Sequence, residues 1–327
     1  PSSRKRGGGQ EGAPSARKRA RPCFRFGNYP GYYGYRGGWA TEARLATLRG
    51  EWFAGRRCLD VGCNGGVLTL ELAQRFRPRS LLGLDIDKGL VKSAVGALVR
   101  RRQALGEAYR EAGRQFDQPA SEGGAGAAEA AELEPPPQRE AGEAGARTCA
   151  PVGPSGGASG RGRARALRMR RKDLKLELQA LRGVRFEAAN FLEWGQGRVG
   201  DFHVVTCLSV VKWVHLNWGD AGLLAFLTKA ASLLAPGGRL VVEPQPWTSY
   251  AAAFRKQDLA SCEGVHLLPS LELRPGDIGP ELERLGLTHL PEECAPAPTA
   301  PGTPENFRRP LLVYQKPVSA PGATLDG

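Results

Sequence analysis

The chain has 327 residues, 41% hydrophobic and 24% charged, with a formal net charge of +13 and a pI near 9.7. No apolar run approaches the ~20 residues of a membrane-spanning helix, and the basic, polar N-terminus lacks the apolar stretch of a signal peptide. The 7 cysteines and 4 histidines are scattered without disulfide-framework or zinc-ligand spacing, so no metal site is expected and a reducing compartment is, while the charge favours polyanions such as nucleic acid.

Residues 1–22 are low-complexity and basic, with RKR at 4–6 and RKRAR at 17–21. They predict a disordered arm, and the paired clusters suit nuclear import. Residues 29–39, YPGYYGYRGGW, hold four of the 7 tyrosines. The run is too aromatic for a linker and too rich in glycine for a helix or a regular strand.

From there strand and helix signals alternate. RCLDVG (57–62) is a short apolar run ending in glycine, and 66–76 has helical spacing of Leu68, Leu72 and Phe76. SLLGLDID (80–87) is a strand and 88–101 an amphipathic helix. Residues 103–165 are built from Gly, Ala, Pro and Glu, which predicts a disordered insertion within one domain spanning 23–318. Its basic end, RGRARALRMRRK (161–172), opens a helix or touches RNA. Strands follow at 183–191, 201–209 and 239–247. A helix at 221–238 is stopped by Pro236 and two glycines. A helix at 281–287, an antiparallel edge strand at 308–316 and a disordered tail at 319–327 complete the chain. This order predicts an α/β domain, a mainly parallel sheet with helices on both faces.

LDVGCNGG (59–66) runs from a strand through a glycine turn into a helix, whose first N–H groups and close backbone approach suit a ligand. It lacks the G-x-G-x-x-G spacing of a dinucleotide site. Asp85, about twenty residues on at the end of the second strand, can accept both hydroxyls of a ribose. Asp60, just before the turn, can hold a cationic amine or its water. Together these features resemble the class I S-adenosylmethionine (SAM) methyltransferases, with their Rossmann-like fold. Another Rossmann-like use is the alternative.

CLSVVKWVHLNWGDAG (207–222) follows the fourth strand, beyond which ligands of open sheets bind. It places Lys212, Trp213, His215, Asn217 and Trp218 in the crevice, a cation among aromatics and amides that suits a phosphate joined to a base. Packing is the plain alternative for one of the two tryptophans.

FGNYPGYYGYR (26–36), EWFAGR (51–56), LDVGCNGG, GLDID, CLSVVKWVHLNWGD and LVVEPQPWTSY (240–250) resemble the bicoid-interacting-type RNA methyltransferases. The resemblance covers 24–101, 183–257 and the final strand. It implies methyl transfer from SAM to the γ-phosphate of a 5′-triphosphate, 7SK-like small nuclear RNA. It further implies a nuclear ribonucleoprotein setting with a La-related protein as partner, and no membrane. By the same resemblance Tyr32, Arg36 and Lys212 are catalytic. Tyr33, Arg44, Gly62, Asn64, Gly66, Asp85, Ile86, Asn190, Phe191 and Leu208 hold the cofactor, Arg44 through the SAM carboxylate. Tyr32, Tyr33, Arg36, Lys212, Trp213 and His215 hold RNA. The chain departs from the family at Gly65, Gly66 and Val67, and matches weakly over 262–306. Two alternatives stand beside this reading: a paralogous enzyme for 5′-monophosphate RNA, and an RNA-stabilising scaffold.

Overall fold

A computed structural model of the chain describes residues 24–29, 43–117, 160–257, 259, 262, 264–294 and 309–318. Strands β1 (Arg57–Val61), β2 (Ser80–Asp85), β3 (Val184–Ala188), β4 (Phe202–Leu208), β5 (Leu234–Glu243), β6 (Thr288–His289) and β7 (Leu312–Gln315) form a 7-stranded sheet. Its order is β3-β2-β1-β4-β5-β7-β6. The first five pair in parallel, and β7 runs antiparallel to both β5 and β6. This is the class I methyltransferase sheet. The order reverses between β1 and β4, the switch point where open sheets take ligands.

Both faces are covered, which is why the strands read as nearly unbroken apolar runs. Side chains alternate across the sheet. Leu59, Val61, Val205, Cys207, Leu240 and Val242 enter one core with Phe191, Trp194, Phe226 and Leu282. Cys58, Val204, Leu208, Val241 and Val313 enter the other with Phe53, Leu72, Phe76 and Leu98. The helices are α1 (Ala43–Thr47), α2 (Gly50–Phe53), α3 (Val67–Phe76), α4 (Lys88–Asp117), α5 (Gly160–Arg182), α6 (Val211–Leu233), α7 (Trp247–Gln257) and α8 (Ile278–Arg284). No helix among the described residues is long and apolar enough to cross a membrane.

Four expectations are corrected. The insertion does not start at 103 or end at 165, because α4 continues to Asp117 and α5 starts at Gly160. The sparse large residues there suffice for an antiparallel helix pair. Arg171 lies 4.9 Å over the Tyr109 ring and Arg168 5.1 Å over Phe116, while Arg102 donates to the Leu181 carbonyl at 2.6 Å. Residues 118–159 lie outside the described residues, as do the two tails. Second, the helix expected from 221 already starts at Val211; it breaks only at Gly219, φ 65° and ψ −167°. Third, that helix stops at Leu233, and Pro236 falls within β5 at a shift of register between Phe202 and Val204. Fourth, β7 is not the edge: the two-residue β6 lies outside it. Cys58, Cys63, Cys207 and Cys294 are free thiols, whereas Cys262 is disulfide-bonded, against the expectation of no disulfide framework.

Replacing 118–159 with a short Gly/Ser linker should therefore leave the thermal midpoint within about 2 °C of wild type. Excising 103–165 instead removes the half of α4 that covers α5. That loss of packing should lower the midpoint by roughly 5–15 °C, read by thermal unfolding.

Candidate active site

The glycine turn after β1 is built by local constraints. Gly66 caps α3 at φ 76°, and a Cβ there would meet the Ala94 Cβ at 2.7 Å. Gly62, at φ 77°, would meet Val210 at 2.9 Å. Asn64 sits at φ 51° and is held by Asp85: its N–H donates to Asp85 Oδ2 at 2.8 Å, and the Asp87 N–H donates to Oδ1 at 2.9 Å. Burial pushes the Asp85 carboxyl above the usual carboxylate range, and those two backbone donors oppose the shift.

Above this turn opens a cleft of about 800 Å³. Its floor is the carboxyl ends of β1 and β2, with Val61, Gly62, Asn64, Leu84, Asp85 and Ile86. One wall is Ala189, Asn190, Phe191 and Leu192 after β3. The other is Leu208, Ser209 and Val210 after β4, with Trp213, Val214 and Trp218 of α6. Phe26, Gly27 and Asn28 close the mouth.

The stretch 24–29 is tied down at both sides of that mouth. Asn217 accepts from Arg25 Nε at 2.6 Å and donates to the Arg25 carbonyl at 3.0 Å. Phe26 stacks on Trp218 with centroids 5.8 Å apart, and Tyr29 meets Trp213 edge-on at 6.4 Å. Across the opening, Asn28 Nδ2 donates to Asp87 Oδ2 at 2.5 Å. The other amide atom, Asn28 Oδ1, is buried and accepts nothing.

These features fit SAM. Asp85 retains lone pairs that would suit ribose hydroxyls, and Ile86, Phe191 and Leu208 are apolar lining side chains that would suit an adenine. Asn28 Oδ1 offers an acceptor to a donor in the cleft, which a buried carbonyl oxygen needs.

Of the residues singled out in the sequence, Gly62, Asn64, Asp85, Ile86, Asn190, Phe191, Leu208, Trp213 and Trp218 meet in this cleft. Tyr32, Tyr33 and Arg36 lie outside the described residues. The others are placed differently. Gly66 does not line the cleft; it lets α3 pack on α4 and β3. Asp60 is sealed beneath the turn by the Thr69 and Thr206 hydroxyls at 2.6 and 2.8 Å. Arg44 is 1% exposed and bonds Glu243 at 3.3 Å; it does not line the cleft itself, but Glu243 also accepts from the lining residue Ser209. Lys212 is buried one layer back, its ammonium 4.4 Å over the Trp213 ring and 3.2 Å from the Ser249 carbonyl.

His215 is corrected outright. It is 0% exposed, with Nδ1 3.3 Å from the Tyr250 hydroxyl and Nε2 2.8 Å from Asp220 Oδ1. Asp220 in turn accepts from the N–H groups of Glu272 and Leu273. The imidazole thus fixes the 272–273 backbone against α6 and cannot reach RNA. Sequence reasoning missed Phe26, Gly27 and Asn28 as cleft residues, although the FGNYPGYYGYR run that carried the resemblance begins with them. It also missed Glu243, Gln245 and Arg309, whose only signal was polarity inside apolar runs.

Burial pushes the His215 imidazole below its ordinary pKa, against the pull of Asp220. The unfolded chain therefore takes up this proton more readily than the folded one. The stability it gives is full above pH ~6.5 and is lost as pH falls below that value. His215→Gln should flatten this part of the pH–stability curve and destabilise the protein by about 1–3 kcal/mol at pH 8, measured by urea unfolding. Unchanged stability with weakened RNA binding would return His215 to the RNA site.

The family model described as bicoid-interacting protein 3 (Bin3) matches residues 202–316. An Arabidopsis thaliana protein named as a probable RNA methyltransferase is 31% identical over 303 residues, 92% of this chain and 83% of its own length. The human 7SK snRNA methylphosphate capping enzyme is 31% identical over 315 residues, 91% of this chain but 40% of its own. This chain thus spans less than half of that human protein. A rat RNA 5′-monophosphate methyltransferase is 40% identical over 84 residues, 26% of this chain and 28% of its own. Kinship along nearly the whole chain, on a class I methyltransferase sheet, places this protein in the bicoid-interacting protein 3 family of SAM-dependent RNA methyltransferases.

Proposed function

We propose that the chain methylates the γ-phosphate of a 5′-triphosphate small nuclear RNA of the 7SK kind. The observation that carries this reading is the tethered stretch 24–29. It crosses the mouth of the cleft between Asn217 and Asp87, and it leads directly into Tyr32, Tyr33 and Arg36. Trp213 and Trp218 wall the crevice behind it, and by the family resemblance Tyr32, Tyr33 and Arg36 act on the RNA 5′ end.

The chemistry suits the residues present. Bound SAM supplies an electrophilic methyl on a sulfonium sulfur, which keeps the C–S electron pair when a phosphate oxygen takes the methyl. A terminal phosphate has its second pKa near ~6 and is largely a dianion at neutral pH, so it needs no general base. Asp85 is the one carboxylate lining the described cleft, and no histidine joins it there. Asp85, Asn64, Ile86, Asn190, Phe191 and Leu208 would hold SAM, and by the family resemblance Tyr33 with them. The protein's part is to align oxygen and methyl and to exclude water.

None of the described lining residues is a cation. The charge that binds the phosphates comes in this reading from Arg36 and from Lys212 behind Trp213, with Tyr32 completing the pocket. Arg44, held by Glu243 at 3.3 Å, is the residue proposed for the SAM carboxylate. Retention of the capped RNA in a nuclear ribonucleoprotein with a La-related protein belongs to the same proposal, supported by the basic clusters at 4–6 and 17–21. The local identity to a 5′-monophosphate enzyme supports the second reading.

One experiment separates them: labelled SAM is incubated with a single RNA bearing a 5′-tri-, di- or monophosphate. Label is expected on the terminal phosphate of the triphosphate RNA. Preferred labelling of the monophosphate form supports the second reading, and no transfer to any form overturns both.

A further inference from the structure

The end of the sheet opposite the cleft carries its own charge pattern. The cleft lies at the carboxyl ends of the strands. By Arg102, which donates to the carbonyls of Leu181 and Val184 at 2.6 and 3.5 Å, α4 has reached the amino ends. The rest of α4 and its partner α5 therefore project beyond the sheet, away from the cleft.

Helix α5 holds nine arginines and lysines against two carboxylates. Arg165, Arg168, Lys172 and Lys175 recur at spacings of three, four and three, which puts them on one face. At 1.5 Å per residue this stripe is about 15 Å long. All four are exposed. The two carboxylates do not neutralise it, because both turn toward α3. Glu177 accepts from Gln74 at 2.7 Å, and Asp173 lies 4.0 Å from Arg77.

Arg77 in turn continues the charge onto the amino edge of the sheet. Arg56, Arg57, Arg75 and Arg79 are exposed there, before or at the starts of β1 and β2 and at the end of α3. A half-buried imidazole lies close to them. His203, at the start of β4, is held below its ordinary pKa by burial first and then by Arg56 and Arg57.

The face has the chemistry of a phosphate backbone and of little else. Its large exposed apolar side chain is Met169, 59% exposed, and its aromatics Tyr109 and Phe116 are covered by Arg171 and Arg168. A protein partner would find no aromatic or large aliphatic anchor in the described stripe. Single-stranded RNA would find no ring to stack on. Double-stranded RNA is gripped by phosphate and shape, which needs neither.

We propose that the α5 stripe and the adjoining arginines form a second RNA-docking surface that grips the backbone of a duplex stem. The stem belongs to the same RNA whose 5′ end enters the cleft, so the proposal rests on the RNA-methyltransferase reading above. The strands alone separate the two sites by about 17 Å, five residues at ~3.3 Å each. A short RNA fills the cleft only, and a structured one engages both ends.

The test is the full chain with Arg165→Gln, Lys172→Gln and Lys175→Gln, none of which touches the cleft. Glutamine keeps helix propensity close to that of arginine and lysine. Two substrates are compared, a long 5′-triphosphate hairpin and a 5′-triphosphate dinucleotide. For the hairpin, the slope of log affinity against log salt should fall by roughly two to three, at about 0.7–0.9 per lost phosphate contact. The hairpin KM should rise about tenfold or more, while kcat and dinucleotide methylation stay at wild-type values. A charge-keeping variant, Arg165→Lys with Lys172→Arg and Lys175→Arg, should bind the hairpin as wild type does. An unchanged salt slope and hairpin KM in the glutamine variant overturn the proposal and leave the stripe a solvated surface. If the wild type methylates neither RNA, the reading of the cleft fails instead, and the salt slopes still decide the docking surface.

Discussion

One buried carboxylate, Glu243, ties the cleft end of the sheet together. It is 0% exposed at the end of β5, and it meets Arg44 at 3.3 Å and Arg309 at 3.9 Å. The Ser209 hydroxyl donates to it, and Arg309 donates to that hydroxyl at 3.2 Å. Four separate parts of the chain converge here: α1, the end of β4, the end of β5 and the approach to β7. Charges taken out of water persist only with close partners, since removing one leaves the others buried and uncompensated at a cost of about 3–5 kcal/mol. That penalty fixes the geometry around it. Ser209 sits at φ 62°, a left-handed conformation that costs about 1–2 kcal/mol for a residue with a side chain. Gln245 holds it there, donating to the Ser209 carbonyl at 2.5 Å and accepting from the Lys212 N–H at 3.0 Å. The start of α6, and with it the Trp213 wall of the cleft, follows from this cluster.

The alternating pattern of the sheet was legible because each strand is apolar, short and bounded by glycine or polar residues. The cofactor turn was legible for the same reason of locality: Asn64 and Asp85 are 21 residues apart and joined through adjacent strands. What failed was non-local. Helix α6 is buried on nearly all sides, so it has no polar face to reveal its period, and its first turns were not read as helix. His215 looked like an RNA contact because its Tyr250 partner lies 35 residues away, across the end of β5. Asn28 was passed over because Asp87, its partner, is 59 residues away. The α4 extension was hidden by small residues that pack well only once α5 returns alongside.

The charge of the chain is not spread evenly. The described cleft is apolar, with one carboxylate and two indoles, while arginines and lysines gather at the opposite end of the sheet and along α5. A mostly apolar cleft strengthens the polar contacts made inside it. Cations kept at a distance attract RNA without competing for the reacting phosphate. One domain can then separate recruitment from chemistry.

The most direct test of the account is whether the cleft seats SAM through Asp85. SAM is titrated calorimetrically into the wild type and into Asp85→Ala, with both confirmed folded by circular dichroism. The account predicts one site on the wild type and roughly 10- to 100-fold weaker binding in the variant, from about 1.5–3 kcal/mol of lost hydrogen bonding to a charged acceptor. Equal affinity in the two proteins, or no binding to the wild type, would contradict it.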